Sequence, residues 1–257
     1  MQIQFIWCWN MWEIILQSII SSWYNSKDIS VKTKTEEKEI ELKKLYNINT
    51  WVNNESDILI LAIKPKQFNE LDLSIFKKNI LVISIMAWIS KDKIESKINS
   101  DKIIRTMPNT PMSVWKWVIW YIETDSVTNK EKDFFIQTFS KNWKLIECKN
   151  EDEIDKITAL SWSWPAYFYY FTEIIKQKAI EMWFSEEQAT IISNNTFIWA
   201  SNLLEKSNLT VEQLRQNITS PWGTTEKAIE TFKRNWFKKC ITDAIDNAYN
   251  KAKDLNN

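Results

Sequence analysis

The chain has 257 residues, no formal net charge, 44% hydrophobic residues and 26% charged residues, which is typical of a globular protein with one large or two medium domains. The neutral charge balance gives no electrostatic support for a nucleic-acid partner. Because histidine is absent, histidine-based catalytic triads, the common zinc sites and imidazole acid–base catalysis are excluded, and we expect no metal.

The sequence also bears on where the protein works. No apolar run approaches the roughly 20 residues of a transmembrane helix, so we expect no membrane partner. The N-terminus lacks the basic segment and long apolar region of a secretion signal. Three scattered cysteines, Cys8, Cys148 and Cys240, form no C-x-x-C pair, which suits a reducing compartment. We therefore expect a cytoplasmic protein.

The first 150 residues alternate short apolar runs with helical patterns. Residues 57–63 and 79–85 are continuous apolar runs of the kind found in buried parallel strands. The predicted strands are 1–6, 29–31, 57–63, 79–85, 103–107, 114–122 and 145–148, and the predicted helices include 10–22 and 36–45. This alternation predicts an α/β fold, with a Rossmann-like doubly wound domain over residues 1–150.

From residue 151 onward the pattern is helical, with no convincing strand. Helical periodicity covers residues 154–160, 166–182, 185–206, 210–217 and 224–253, with breaks at 183–184 and 220–223. The apolar faces, including the aromatic run 167–171, exceed what one small layer buries, so we expect a core plus a subunit interface. The sequence therefore predicts an all-helical substrate-binding and dimerisation domain over residues 151–257, in a homodimer or higher homo-oligomer.

The composition has one strong anomaly, which is sixteen tryptophans beside a single glycine, Gly223. Average usage predicts roughly 18 glycines in a chain of this length. We infer that most of these tryptophans are glycines in the functional protein, through a UGA codon that the source organism reads as glycine. Three arginines among 33 basic residues are the bias expected of an AU-rich coding sequence.

The N-terminus shows where glycine is required. Trp7, Trp9 and Trp12 have the spacing of G-x-G-x-x-G between a predicted strand and a predicted helix. That fingerprint needs glycine for a tight turn, for close approach of the backbone to a pyrophosphate and for helix–strand packing. With glycine at the three positions, this segment is a dinucleotide-binding turn whose helix amides hold the pyrophosphate.

The residues after the second strand indicate which dinucleotide binds. An NAD site usually places an acidic residue there against the ribose 2′-hydroxyl, whereas this chain has Lys32-Thr33-Lys34-Thr35. Two ammonium groups and two hydroxyls favour a 2′-phosphate, so the sequence favours NADPH, with NADH as the second choice. The alternative interpretation is an ordinary lysine-rich loop.

Three further segments carry motifs once glycine replaces tryptophan at 162, 164 and 222. They become R-T-M-P-N-T-P at 105–111, A-L-S-G-S-G-P-A-Y at 159–167 and T-S-P-G-G-T-T at 219–225. Together with F-I-G-C-G-N-M-G at 5–12, residues 57–65 ending in A-I-K-P, and M-A-G at 86–88, these motifs make the chain resemble the pyrroline-5-carboxylate reductases from residue 2 to about 255. The departures are the tryptophans themselves, and Trp51 matches no glycine of the family.

The resemblance implies an oxidoreductase that converts 1-pyrroline-5-carboxylate into L-proline with NADPH or NADH, the last step of proline synthesis. By matching positions it implies cofactor contacts at Ile6, Trp7, Cys8, Trp9, Asn10, Met11, Trp12, Thr33, Lys34, Asn49, Ala62, Ile63, Lys64 and Ala87. It implies substrate contacts at Glu151, Asn217, Thr224 and Thr225. Thr225 is the predicted catalytic contact, through a hydrogen bond to the ring nitrogen. N-capping of the helix is the alternative role for Thr224 and Thr225.

The implied chemistry asks little of side chains, because a protonated cyclic imine is electrophilic and the cofactor supplies the hydride. The turn 220–223 opens a helix, so its amides suit the substrate carboxylate. Two alternatives stay open. Another two-domain reductase, such as a β-hydroxyacid dehydrogenase, needs a catalytic-lysine motif that is missing here. A non-catalytic oligomeric scaffold follows if the tryptophans are literal.

Overall fold

The computed structural model describes residues 1–6, 10–22, 24–108 and 117–256, excluding the side chains of residues 10–12 and 117. The chain forms two compact units: Met1–Trp162 with the segment that begins at Tyr249, and Ser163–Ala248. The packing thus groups residues 151–162 with the first unit. The functional division at residue 150 stays a prediction.

The first unit is built on one seven-stranded sheet in the order β2-β1-β3-β4-β5-β6-β7. The strands are β1 (Ile3–Ile6), β2 (Ile29–Lys32), β3 (Ile58–Leu61), β4 (Leu81–Ser84), β5 (Ile103–Pro108), β6 (Trp117–Glu123) and β7 (Trp143–Glu147). Strands β1 to β5 pair in parallel. The seven predicted strands and the Rossmann-like α/β class are confirmed.

Strand β6 departs from an all-parallel sheet, because it runs antiparallel to β5 and parallel to β7. Only eight residues separate Pro108 from Trp117, and a parallel crossover needs a dozen or more. The chain therefore returns antiparallel, which places Met107 opposite Trp120 and Thr106 opposite Tyr121.

Strands β1, β3, β4 and β5 are buried along their whole length. Helices cover the sheet, so these strands are apolar on both faces rather than alternating. The helices are α1 (Asn10–Ser21), α2 (Glu36–Tyr46), α3 (Pro65–Phe68), α4 (Lys91–Glu95) and α5 (Asn129–Phe139). Helix α5 was not among the predicted helices, although Thr128 and Glu131 form a capping box at its start.

The remainder of the chain is helical, as predicted. Its elements are α6 (Glu151–Ile157), a π-helical turn (Thr158–Trp162), α7 (Trp164–Glu181), α8 (Glu186–Lys206), α9 (Val211–Asn217), α10 (Thr224–Arg234) and α11 (Phe237–Asn256). Ser185 and Thr210 begin α8 and α9 with capping boxes. Within the described residues, no helix is both long and apolar enough to cross a membrane.

One predicted helix is wrong. The periodicity of residues 224–253 predicts a single helix, whereas α10 ends at Arg234 and α11 begins at Phe237. Residue 236 has a φ of 59°, and a left-handed residue after the last turn ends an α-helix. The apolar spacing continues across the break, so periodicity alone does not reveal it.

Candidate active site

The carboxyl ends of the parallel strands carry seven of the fourteen predicted cofactor contacts. These residues are Ile6 at the end of β1, Thr33 and Lys34 after β2, Ala62, Ile63 and Lys64 after β3, and Ala87 after β4. Parallel strands end at the same edge, so the sheet brings these residues to one side. Strand β1 lies between β2 and β3, which makes this edge the switch point where open α/β sheets bind ligands.

Helix α1 begins at the same edge. Its first residue, Asn10, follows Ile6 after three residues, Trp7, Cys8 and Trp9, which lie outside the described residues. The side chains of Asn10, Met11 and Trp12 lie outside them as well. The first backbone N–H groups of a helix lack intrahelical acceptors and carry the positive end of its dipole. This strand–turn–helix arrangement suits a pyrophosphate.

The loop after β2 is held by a glutamate that sequence reasoning missed. Glu39 of α2 is buried, and its Oε1 accepts the N–H of Thr33 at 3.0 Å and the ammonium group of Lys32 at 2.9 Å. The Thr33 hydroxyl donates to the carbonyl of Thr35 at 2.8 Å. Lys32 therefore neutralises a buried carboxylate, and the exposed Lys34 presents its ammonium group at the surface of this loop.

Asn49 is the predicted cofactor contact that lies apart from this edge. Its backbone forms a parallel bridge with Ser30, near the beginning of β2. Its side-chain amide donates to the carbonyl of Lys27 at 2.7 Å. Lys27 lies in the 3₁₀ turn Ser26–Asp28, which directly precedes β2. The role of Asn49 as a cofactor contact stays a prediction.

Two buried hydroxyls fix the loop after β4. The Ser84 Oγ accepts the N–H of Met86 at 3.3 Å, and the Thr106 Oγ1 donates to the carbonyl of Ser84 at 3.0 Å. The N–H of Ile85 donates to the carbonyl of Leu61 at 3.1 Å, which extends the pairing with β3. Ala87 is thereby held at the edge of the sheet.

Glu151, a predicted substrate contact, uses both carboxylate oxygens within the first unit. Its Oε1 accepts the backbone N–H of Lys91 at 3.0 Å, and its Oε2 accepts a hydrogen bond from Nη1 of Arg105. The Arg105 side chain is fully buried, and the Glu151 side chain is 33% exposed. The carboxylate thus joins β5 to the first turns of α4 and α6.

This ion pair lies in apolar surroundings beside a second carboxylate. Arg105 shares its face of β5 with Met107, which belongs to a buried cluster with Cys148. Burial raises the pKa of Asp155, although the positive charge of Arg105 opposes that shift. Burial also raises the pKa of the Cys148 thiol to about 11. Among the described residues, Nε and Nη2 of Arg105 have no hydrogen-bond partner, so the guanidinium depends strongly on Glu151.

In the second unit, the predicted substrate contacts lie at two helix ends. Asn217 is the last residue of α9, and Thr224 and Thr225 are the first two residues of α10. Gly223 occupies the N-cap position, and no side chain caps the helix there. The alternative role of Thr224 and Thr225 as N-caps is therefore wrong, because both lie beyond the capping position.

The turn before α10 is closed by backbone hydrogen bonds. The N–H of Gly223 donates to the carbonyl of Ser220 at 3.0 Å, and the N–H of Trp222 donates to Oε2 of Glu226 at 2.6 Å. Glu226 thus places a carboxylate beside the helix start, where an anionic ligand would have to approach it. Sequence reasoning did not single out Glu226, although it lies within the first turn of the helix.

Known proteins resemble this chain in sequence and fold. Residues 151–255 match the family model for pyrroline-5-carboxylate reductase dimerisation. A pyrroline-5-carboxylate reductase of Vibrio alginolyticus is 27% identical over 267 residues, covering 99% of this chain and 97% of the relative. The solved pyrroline-5-carboxylate reductase of Coxiella burnetii has a TM-score of 0.85 and 29% identity, covering 100% of this chain and 98% of that one. The family model, this relative and this solved structure all indicate a pyrroline-5-carboxylate reductase.

A second solved structure extends the comparison to a bound ligand. The pyrroline carboxylate reductase of Plasmodium falciparum, solved with NADP bound, has a TM-score of 0.79 and 25% identity, covering 100% of this chain and 98% of that one. The family resemblance that the motifs carry is thus confirmed over the whole chain. The matched dimerisation model also supports a homo-oligomer.

The Arg105–Glu151 pair predicts non-additive changes in stability. We expect Glu151→Gln to lower the free energy of unfolding by about 2–3 kcal/mol, because it leaves a buried guanidinium without its counter-charge and Glu151 is itself only partly buried. The double variant R105M/E151Q should lose at least ~1 kcal/mol less than the two single variants combined. Urea denaturation followed by circular dichroism measures these differences.

The control for this cycle is Glu153→Gln, the same substitution two residues along α6. Glu153 accepts the backbone N–H of Lys149 at 2.8 Å in an exposed position, so its loss should cost less than about 1 kcal/mol. Additive effects of the Arg105 and Glu151 substitutions would show that the two side chains are not coupled.

Proposed function

We propose that this chain reduces the cyclic imine of 1-pyrroline-5-carboxylate to L-proline with NAD(P)H. The observation that carries this proposal is the similarity to the pyrroline-5-carboxylate reductase of Vibrio alginolyticus over 99% of the chain, which includes both the switch-point edge and the turn before α10. The oxidoreductase activity, the cofactor class and the place in proline synthesis rest on this similarity and on the NADP-bound structure. The preference for NADPH and the roles of individual residues go further and rest on the arguments below.

The residues at the carboxyl edge fit a dinucleotide. The first turn of α1 provides amides for the pyrophosphate, and Lys34 provides an ammonium group for the ribose phosphate. The Thr33 hydroxyl can donate to this phosphate only by giving up its hydrogen bond to the carbonyl of Thr35. Ala62 and Ala87 are small and buried, so a ligand can lie against the backbone beside them. A nicotinamide cofactor bound there supplies the hydride that reduces the C=N bond.

In the second unit, the start of α10 fits the substrate. The positive end of the helix dipole and the N–H groups of its first turn favour the substrate carboxylate, whereas the Glu226 carboxylate opposes it. The Thr225 hydroxyl is proposed to hydrogen-bond the ring nitrogen and so orient the imine. A protonated imine is already electrophilic, so no side chain has to act as the general acid, and the absence of histidine presents no obstacle.

The direct test compares two recombinant chains. One is the chain as written, and the other, here named the glycine form, carries Trp→Gly substitutions at residues 7, 9, 12, 88, 162, 164 and 222. We expect the glycine form to consume NADPH and produce equimolar L-proline from 1-pyrroline-5-carboxylate. We expect the chain as written to be inactive, because the G-x-G-x-x-G fingerprint needs glycine where the backbone approaches the pyrophosphate. A folded but inactive glycine form would refute the proposed function.

Two variants of the glycine form separate the role of Thr225 from its packing. Thr225→Val removes the hydroxyl at nearly constant shape, and should lower kcat/KM for the imine by about 10- to 100-fold, the value of a hydrogen bond to a charged group. Thr225→Ser keeps the hydroxyl and should retain most of the activity. Equal activities of the two variants would exclude a hydrogen-bonding role.

The loop after β2 predicts a preference for NADPH that depends on Lys34. In the glycine form, Lys34→Ala should raise the KM for NADPH by about tenfold or more, since a charge-assisted contact to the 2′-phosphate is lost. The KM for NADH should stay unchanged, because NADH has no 2′-phosphate. Lys44→Ala removes an exposed lysine from the far end of α2 and serves as the control. Equal effects of Lys34→Ala on both cofactors would contradict the assignment.

We propose that the helical region forms the subunit interface of a homodimer or higher homo-oligomer. Helices α7 and α8 expose large apolar side chains, including Tyr170, Ile174 and Trp199, an arrangement that marks an interaction surface. Ile174→Asp should shift the protein towards monomers in sedimentation or light-scattering measurements. Gln177→Asp adds the same charge at an exposed polar position of α7 and should leave the assembly intact. Unchanged assembly of Ile174→Asp would place the interface elsewhere.

The proposed division of labour keeps residues 1–150 for the cofactor and residues 151–257 for substrate and assembly. We also propose a cytoplasmic location, supported by the free thiols of Cys148 and Cys240.

A further inference from the structure

Six described residues other than glycine have a positive φ, and four of them are tryptophans. The two asparagines are Asn47 and Asn79, and the four tryptophans are Trp88, Trp183, Trp222 and Trp236, with φ between 59° and 70°. Asparagine tolerates the left-handed region, whereas a bulky residue there is a genuine outlier. The φ angle therefore distinguishes these four tryptophans from others, such as Trp51 and Trp199, that lie outside the left-handed region.

Trp183 occupies a helix-ending position that is normally a glycine. Helix α7 has Met182 as its C-cap, and Trp183 follows with a φ of 70°. The N–H of Phe184 donates to the carbonyl of Ala179 at 3.2 Å, and the N–H of Trp183 donates to that of Ile180 at 2.9 Å. This pair of bonds is the Schellman motif, whose left-handed residue is usually glycine because it has no Cβ.

Trp236 ends α10 in a similar way. Asn235 is the C-cap, Trp236 has a φ of 59°, and its N–H donates to the carbonyl of Lys233 at 3.3 Å. The left-handed residue reverses the chain between α10 and α11, where the helical periodicity of the sequence continues without a break. A residue with no Cβ permits this reversal without strain.

Trp222 also occupies a turn position that favours glycine. Pro221 precedes it, and the N–H of Gly223 donates to the carbonyl of Ser220 at 3.0 Å. A turn with proline at its second position and a φ of 60° at its third is a type II turn, which takes glycine there. Trp88, with a φ of 61°, follows Ala87 in the loop after β4.

Three of the four indoles gain little from these positions, whereas Trp88 is partly buried against the cluster that contains Met107. Trp183 is 95% exposed, Trp222 is 97% exposed and Trp236 is 73% exposed. Strained backbone persists only where surrounding contacts impose it, and an exposed indole supplies few contacts. The backbone conformation is therefore maintained by the turns, and the side chains do not explain it.

We propose that residues 88, 183, 222 and 236 are glycines in the protein that its host makes. Residues 88 and 222 also lie in sequence motifs that call for glycine, whereas residues 183 and 236 are assigned from the backbone alone. The inference rests on φ angles and turn hydrogen bonds, so it stands or falls independently of the proposed catalytic activity.

The decisive experiment is peptide mass spectrometry on the protein purified from its native host. Peptides that cover residues 88, 183, 222 and 236 are sequenced by fragmentation. Glycine at all four positions is the expected result. Tryptophan at any one of them overturns the assignment of that residue, whatever the enzyme activity of the preparation.

A second experiment tests the backbone argument with recombinant protein. In the glycine form, which keeps tryptophan at 183, Trp183→Gly and Trp183→Ala both remove the indole, but only the glycine variant removes the Cβ. We expect the melting temperature of Trp183→Gly to exceed that of Trp183→Ala by about 2–8 °C. At Trp51 the corresponding glycine variant should be no more stable than the alanine variant. A Trp183→Ala protein at least as stable as Trp183→Gly would overturn the proposal for this residue.

Discussion

The parallel pairing of β1 with both β2 and β3 is the constraint on which the cofactor site depends. Ile3 to Ile6 pair with Ile29 to Lys32 on one side and with Ile58 to Leu61 on the other, in registers that end level with one another. The residues that follow these strands therefore lie at one edge of the sheet, although they are far apart in the chain. The burial of β1 and β3 on both faces holds this edge in place, since a shift of one residue would move polar groups into the core.

Two carboxylates, the buried Glu39 and the partly buried Glu151, connect that edge to the helices around it. Glu39 accepts the N–H of Thr33 and the ammonium group of Lys32, and Glu151 accepts the N–H of Lys91 and the guanidinium of Arg105. Each carboxylate satisfies one backbone amide and one cation at once. Such groups stabilise a geometry only while both partners are present, because a buried charge left alone is strongly unfavourable. They therefore position loops rather than simply add to stability.

Several positions of this fold favour a residue without a Cβ. Between β1 and α1, the G-x-G-x-x-G fingerprint needs such a residue so that a pyrophosphate can approach the backbone. At the ends of α7 and α10, such a residue suits the left-handed conformation that reverses the chain. The first requirement is visible in the spacing of Trp7, Trp9 and Trp12, and the second is visible only in the φ values of Trp183 and Trp236. Two independent physical arguments thus lead to the same residue type.

Much of the architecture could be predicted from the sequence alone, because burial determines which local stretches of the sequence are apolar. Runs such as 58–63 and 80–83 are apolar throughout because both faces of their strands are covered. The Ser185 and Thr210 caps predict the beginnings of the helices that follow them. The cofactor and substrate contacts that the family motifs imply stay predictions. Local patterns do not record the direction of β6, the break before α11 or the partner of Glu151. Those features depend on a short connection, a single backbone angle and a contact between residues 105 and 151. Only the folded chain decides them, because periodicity reports which face is buried and not what it is buried against.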